Sequence, residues 1–297
     1  VESCLDCVPR YGHETERELA TSIELYRDQY RAELAQAAQV LVASRATGDL
    51  VASSTGQDAS RFELLPLPYS PRFGGRSPAP LPEGDQPLRF GYWGNLTSRK
   101  GTRVFVRAFR ALCEAGLPRP AEAHLFGRVD TPELEAELRE LAHGVPVHLH
   151  GRYAYDELAN ADLHVAVFPM LCFETYGFVL DECFELGLPC IVTDIGALPA
   201  RAGDAAVLVP PKDEGAMADA MRRFLERPAL RDELAERIPD ASLSSVEHLE
   251  RLRSVYDAAR ARGPRDAKPL PASRRAGLIA LQRESAQARI TPEGGPR

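Results

Sequence analysis

The sequence predicts an α/β protein: a doubly wound, Rossmann-like parallel sheet preceded by part of a second domain of the same kind. Three observations carry this reading. From Leu88 onward, short runs that are apolar throughout alternate with amphipathic helical spacings, the signature of parallel strands buried on both faces and joined by single helices. Ahead of them lies PLPYSPRFGGRSPAPLPEGDQP, residues 66–87, too rich in Pro and Gly to pair regularly and so read as a domain linker. Ahead of that, Val40 to Ala43 and Phe62 to Leu65 read as strands flanking one helix, the last portion of an α/β domain spanning residues 1–65.

Taken in order, residues 14–39 carry Leu19, Ile23, Tyr26, Tyr30 and Leu34 at helical spacing, and Ser44 is a candidate N-cap for a helix running to about Ser53. In the larger domain, residues 88–240, the strands read as Leu88 to Trp93, Ala123 to Phe126, Val145 to Leu149, Leu163 to Phe168, Pro189 to Thr193 and Ala206 to Val209. The helices read as Gly101 to Ala115, Pro132 to Ala142, Tyr155 to Asn160, Tyr176 to Leu186 and Glu214 to Glu226, with a short one over Ala229 to Arg237. A last helix, Ser244 to Arg262 within 241–262, places Val246, Leu249, Leu252, Val255 and Tyr256 on one face. The remainder, 263–297, is rich in Pro, Arg and small residues and reads as a disordered basic tail.

The bulk properties exclude several classes. A net charge of −7 argues against a general nucleic-acid binder, which needs a strongly basic face. No run of about 20 apolar residues spans a membrane, and the N-terminus lacks the blocks of a signal peptide, so a cytoplasmic location is expected, with peripheral membrane contact left open. Cys113, Cys172, Cys183 and Cys190 sit in apolar patterns that suit reduced core thiols, while Cys4 and Cys7 form a lone C-x-x-C with no second pair.

Ligands of a doubly wound sheet bind beyond the carboxyl ends of its strands, so the loops there supply the candidate site. Gly94 to Gly101, reading GNLTSRKG, follows the first strand; Gly94 permits close approach of a phosphate and Lys100, with Arg99 second, supplies a cation. Taken alone, those residues read more readily as a solvated basic turn. Phe126-Gly127-Arg128 and His150-Gly151-Arg152-Tyr153 end the next two strands at the same edge, where glycines let a planar base approach the backbone. The strongest stretch is FETYGFVLDECFELGLPCIVTD, Phe173 to Asp194. Thr175, Tyr176 and Gly177 read as the first turn of a helix whose N-H groups face an anion. Glu174 suits sugar hydroxyls and Glu182 a ribose. Two carboxylates also fit a glycosidase pair, though both lie around one helix start rather than across a scissile bond. His164 reads as a core residue, His148 and His150 alternate along one strand, and no histidine has an evident carboxylate partner. No Ser-His-Asp set, Walker loop or metal-ligand cluster is assembled from the sequence.

Together, WGNLTSRKG, HLFGR and FPMLCFETYGFVLDECFELGLPCIVTDIGALP resemble the nucleotide-sugar-binding half of a GT-B glycosyltransferase of family 4, the retaining group 1 class. The hallmark is E-x7-E, here Glu174 to Glu182, followed by Gly187-Leu188-Pro189. The resemblance covers about Val40 to Tyr256. It implies a donor that is a nucleotide diphosphate sugar, with Lys100 on the diphosphate, Glu174 on the donor sugar, Glu182 on the ribose, and the backbone around Phe178 and Val179 at the phosphate. Gly127, Arg152 and Tyr153 fall where the base is held, and the last helix resembles a segment that crosses back to the partner domain. Three departures stand out: Asn95 where many members carry Arg, leaving Arg99 as the substitute; Ala200 after Pro199 where Glu is common; and an N-terminal domain represented only by 1–65.

The reaction implied is transfer of a sugar, with retention, to a hydroxyl of a saccharide, lipid-linked or other acceptor, with no cofactor and no essential metal expected. The alternative is a non-catalytic nucleotide-sugar-binding or partner module. A dinucleotide-dependent oxidoreductase is disfavoured because no strand is followed by G-x-G-x-x-G.

Overall fold

A computed structural model describes residues 30–74, 78–240 and 242–262. The expectations for Cys4 and Cys7, for the helix before Tyr30, and for the tail 263–297 lie outside them. The described chain forms two compact units, one made of Ala43–Thr47 and Leu65–Glu250, the other of Gly48–Leu64 with the segments up to Val42 and from Arg251.

In the smaller unit, β1 (Val40–Val42) pairs in parallel with β2 (Phe62–Leu64). Between them runs α1 (Arg45–Thr55), whose first turn belongs to the larger unit. Ser44 caps it as expected, its Oγ accepting from the Thr47 N-H at 3.2 Å. Within this unit Arg31 donates to the Thr55 carbonyl at 2.7 Å and Arg61 to Leu34 O at 2.5 Å.

The larger unit is a six-stranded parallel sheet: β3 (Leu88–Trp93), β4 (Ala121–Phe126), β5 (Val147–Gly151), β6 (Val165–Phe168), β7 (Cys190–Thr193) and β8 (Ala206–Val209). Its spatial order is β5-β4-β3-β6-β7-β8. The chain therefore winds outward from β3 to β5, returns to lay β6 against β3, and winds outward the other way. Because strand-helix-strand crossovers are right-handed, opposite directions of winding put the two sets of helices on opposite faces. One set is α2 (Thr102–Glu114) and α3 (Pro132–Ala142), joined by α7 (Glu214–Glu226), which packs on α2. The other includes the short α5 (Val179–Glu185) and α6 (Leu198–Ala202), after α4 (Tyr155–Ala159). Caps fix the helix starts: Thr131 with Pro132 for α3, and Asp213, which accepts from Ala216 N-H at 2.8 Å, for α7.

Burial on both faces explains the apolar strands. Every residue of β6 and β7 is buried, and Phe90 of β3 meets Phe109 of α2 and Phe224 of α7 edge-on at 6.3 and 6.5 Å. Trp93, fully buried, meets Phe168 edge-on at 4.9 Å across the β3–β6 seam. Cys183 and Cys190 are buried thiols and Cys113 and Cys172 half-buried ones, all free, as the sequence suggested.

Three sequence expectations change. The helix after β6 begins at Val179 rather than Tyr176, because Gly177 has a φ of +84° that no helical turn accommodates. Residues 66–74 form no regular element, as expected, yet they pack: Phe73 is buried, and the Glu185 carboxylate of α5 accepts from the N-H groups of Arg72 and Phe73 and from Tyr69 Oη at 2.7 Å. Burial raises the Glu185 pKa, but those hydrogen bonds outweigh it and hold the carboxyl below its ordinary value. The last two helices, α8 (Leu230–Ala235) and α9 (Ser245–Arg262), also differ from each other in burial. Leu230 and Leu234 of α8 are buried, whereas Val246, Leu249 and Tyr256 of α9 are exposed rather than packed.

His164 is the satisfied core residue the sequence suggested: Nδ1 accepts from Arg89 N-H at 3.0 Å and Nε2 donates to Pro80 O at 3.1 Å. Burial lowers its pKa from 6.5 to about 4, so the folded state keeps it neutral while an unfolded chain protonates it near 6.5. Its contribution to stability is therefore whole above about pH 6.5 and is lost as pH falls through that value toward 4, by up to about 1.4 kcal/mol per pH unit. Urea denaturation across pH 7.5 to 5 is expected to show this loss, and His164→Gln to flatten the slope while lowering stability at pH 7.5.

Candidate functional site

The reversal of winding between β3 and β6 makes their carboxyl ends the switch point of the sheet, and doubly wound sheets bind ligands in a crevice at such a point. Two loops meet there. The first, after β3, closes with a 3₁₀ turn over Ser98–Lys100, whose cap is Thr97: its Oγ1 accepts from Lys100 N-H at 3.2 Å. The second runs from Pro169 to Phe178. The loops are joined by Leu171 N-H donating to Arg99 O at 2.9 Å, and the second is tied to β7 by Thr193 Oγ1 donating to Met170 O at 2.8 Å.

At this switch point Lys100 Nζ and a Glu174 carboxylate oxygen form an ion pair, the two side chains 33% and 16% exposed. The Glu174 backbone is fixed independently, its carbonyl accepting from Ala197 N-H at 2.8 Å. Gly196 makes that approach feasible: a Cβ there would stand 2.3 Å from the Glu174 carbonyl oxygen, and its φ is +64°. Beyond Glu174, the Thr175 carbonyl accepts from Ser44 Oγ at 2.8 Å and Thr47 Oγ1 at 3.1 Å. The N-H groups of Gly177, Phe178 and Val179 have no acceptor among the described residues and remain available to an anion. Since α5 has only seven residues, these donors rather than a long helix dipole are what the loop offers.

Glu182 lies in the first turn of α5 and is buried, unlike Glu174. One of its oxygens accepts from Trp93 Nε1-H at 2.8 Å and the other from Arg72 Nη1 at 2.7 Å. Burial raises its pKa, opposed by those two donors. Arg72 also donates to Tyr155 Oη and lies over that ring, 5.0 Å from its centroid. Tyr153 meets Phe126 edge-on at 5.8 Å, and burial raises its pKa.

The remaining predicted residues divide. Asn95 and Arg99 are exposed; the Asn95 carbonyl accepts from Tyr92 Oη at 3.0 Å. Arg152 is exposed at the end of β5 and Phe178 is 43% exposed. Gly94 and Gly127 pack backbone to backbone: Gly94 N-H donates to Phe126 O at 3.0 Å, and a Cβ on Gly127 would stand 1.7 Å from Gly94 O. Gly127 is thus demanded by the packing of two loops whatever binds beside them. The Tyr176 side chain is committed elsewhere: it is buried, its hydroxyl donates to Leu67 O at 2.8 Å, and its ring lies under Arg201 at 3.7 Å. Only its backbone belongs to the loop edge.

Sequence reasoning missed Arg72, Trp93 and Arg201, and read Ser44 only as a helix cap. Arg201 donates to the Tyr176 and Gly177 carbonyls at 3.2 and 2.9 Å and to buried Asp181 at 2.7 Å, so it holds the second loop against α5. The aromatic residues Tyr69 and Phe73 beside Arg72 were a signal that the proline-rich stretch packs. The sequence also offered no carboxylate partner for any histidine and no metal-ligand cluster. That is corrected by the pairing of β4 with β5, which brings Glu122, His124 and His148 together, with His124 Nε2 3.1 Å from Glu122 Oε2.

Residues 87–227 match the family described as Glycosyl transferases group 1. The phosphatidyl-myo-inositol mannosyltransferase of Mycobacterium leprae is 30% identical over 142 residues, covering 45% of this chain and 36% of that protein. Its counterpart from Mycolicibacterium smegmatis is 31% identical over 191 residues, 62% of this chain and 45% of that protein. The chain thus spans less than half the length of either relative. Among solved structures, Anabaena Alr3699/HepE in complex with UDP and glucose superposes with a TM-score of 0.64 at 16% identity, over 84% of this chain and 69% of that one. At that identity the likeness is one of fold, the GT-B arrangement. No helix among the described residues is long and apolar enough to cross a membrane.

The Glu174 loop depends on the Gly196 approach and the Arg201–Asp181 pair. Gly196→Ala is expected to cost about 1–3 kcal/mol from its left-handed φ alone, and Arg201→Ala about 3–5 kcal/mol, because it strands a buried carboxylate. Urea denaturation of each variant against the parent chain checks both values.

Proposed function

We propose that this chain, whose residues 87–227 belong to the group 1 glycosyl transferases, binds a nucleotide diphosphate sugar in the β3–β6 crevice and transfers the sugar, with retention, to an acceptor hydroxyl. The observation that carries the reading is the Lys100–Glu174 pair, a cation and a carboxylate brought from two loops to one switch point. In this reading the donor divides the pair: Lys100 turns to the diphosphate and Glu174 to the sugar hydroxyls. As the diphosphate departs, negative charge grows on its oxygens while the sugar becomes oxocarbenium-like. Lys100 and the free N-H groups of Gly177, Phe178 and Val179 stabilise that growing charge, which is transition-state electrostatics supplied by fixed donors and requires no metal. Glu182, already accepting from Trp93 and Arg72, keeps lone pairs for a ribose hydroxyl. The base would lie toward Gly127, Arg152 and Tyr153. The acceptor is a saccharide, a lipid-linked sugar or another hydroxyl compound, and the chain would act in the cytoplasm.

A second reading is supported by the match lying wholly within one of the two units: the chain holds the donor but performs no transfer alone. Calorimetric titration with UDP, GDP and ADP, beside donor turnover, separates the two. Under the main reading one nucleotide binds, Lys100→Ala weakens it by about 1.5–3 kcal/mol, roughly 10- to 150-fold, and Glu174→Ala leaves nucleotide binding intact while abolishing turnover. Binding without turnover in the parent chain favours the second reading. Absence of heat with all three nucleotides overturns both.

A further inference from the structure

β5 is an edge strand, and its register with β4 sets His148 directly opposite His124. Glu122, two residues before His124, shares its face of the sheet. One ligand atom from each of Glu122, His124 and His148 lies within 4.8 Å of the other two. His124 Nε2 and Glu122 Oε2 are 3.1 Å apart, a hydrogen-bond contact that an ion would replace, and the His124 and His148 rings stack 4.7 Å apart, so the exposed His148 ring turns to bring its lone pair to the same ion. We propose that Glu122, His124 and His148 form a binding site for a divalent transition-metal ion, zinc above all, at the β4–β5 edge and built from none of the residues of the Lys100–Glu174 crevice.

Two imidazoles and one carboxylate are a donor set that suits zinc and leaves a fourth position to water. Outer partners are also present. His150 Nε2 lies 3.0 Å from His124 Nδ1, so when the metal takes the Nε2 lone pair, the His124 proton resides on Nδ1 and is donated to His150. That requires His150 to carry its own proton on Nδ1, a change of tautomer with no net gain or loss of protons. Arg89, opposite Glu122 on β3, donates to Glu122 Oε2 at 3.0 Å and orients the carboxylate. Its charge also opposes a dication, which argues for moderate rather than extreme affinity. His148 is exposed, which gives an ion a way in. Bound metal would cross-link the edge strand to its neighbour, and so it would raise thermal stability as well as bind.

The test uses the full chain without an affinity tag, titrated with Zn²⁺ by calorimetry and with Co²⁺ by visible absorption, and melted with and without Zn²⁺. Expected are one ion per chain at this site, the spectrum of a four- or five-coordinate N/O cobalt centre, and a higher melting temperature with zinc. His148→Ala, an exposed position that leaves the fold intact, is expected to weaken binding at least as much as loss of an outer partner does, about 10- to 100-fold, and to remove the thermal shift. Exposed His143→Ala, and Cys4→Ser with Cys7→Ser, are expected to change neither. Failure of the parent chain to bind Zn²⁺, or binding and melting shift that persist unchanged in His148→Ala, overturns the proposal. Nucleotide titration of the same preparations keeps this outcome separate from that of the transferase reading.

Discussion

The hydrogen bonds that lay β6 beside β3, in register at Phe90–Val165 and Gly91–Ala166, join the two halves of the sheet. All else at the ligand edge rests on that junction. Strands on either side of it wind in opposite directions, so the loops after β3 and β6 meet side by side above the seam, joined by the Leu171 N-H to Arg99 O hydrogen bond. The seam is closed from below by large rings: Trp93 and Tyr92 of β3 both pack edge-on against Phe168 of β6, at 4.9 and 6.3 Å. A fully buried indole N-H must find an acceptor or forfeit about 1–3 kcal/mol of desolvation. Glu182 supplies that acceptor, so the packing requirement of the seam and the orientation of a site carboxylate are met by one contact.

The proline-rich stretch is bound to this arrangement from outside. Proline denies regular pairing, and residues 66–74 show none. The N-H groups of Arg72 and Phe73 nevertheless find one carboxylate, Glu185, three residues after Glu182 on the same helix. Arg72 then reaches Glu182 itself. A composition that looks like a mere spacer thus clamps α5 through backbone donors and one guanidinium. The clamp leaves Glu182 with a positive neighbour on one side and an indole donor on the other.

Fold class and strand order of appearance were legible because both depend on local pattern: apolar runs for strands buried on two faces, and amphipathic spacing for the helices between them. β3, β8, α3 and α7 have the bounds their residues suggested. The start of α5 was not legible. Tyr176 and Gly177 precede an apolar periodic run and look helical, but the sign of φ at Gly177 is decided by packing against Leu198 and by Arg201 drawing the adjacent carbonyls away. Likewise, motif spacing identified Lys100 and Glu174 as candidates, and the fold joins them over 74 residues of separation. Arg72 and Ser44 act through contacts of greater span, and Arg201 through contacts 20 to 25 residues apart, none of which has a local signature. The Glu122–His124–His148 cluster was hidden for a related reason: it exists only once β4 and β5 adopt one register.

The two glutamates of the E-x7-E spacing end in unlike surroundings, and the difference follows from where the helix begins. Had α5 started at Tyr176, both would border one continuous helix start and read as equivalent anions. Because Gly177 delays the helix, Glu174 is held by loop backbone, through Ala197 and the space left by Gly196, and remains partly exposed toward Lys100. Glu182 is carried by the helix into the interior, where burial favours its neutral form and two donors oppose that preference. A carboxylate that is paired yet accessible can exchange its cation for a ligand at modest cost, since both partners remain near water. One that is buried and doubly bonded cannot be released without stranding the indole and the guanidinium. The same spacing therefore yields one group free to rearrange around a ligand and one that acts as a fixed wall, which is the division of labour proposed for the sugar and ribose ends of the donor.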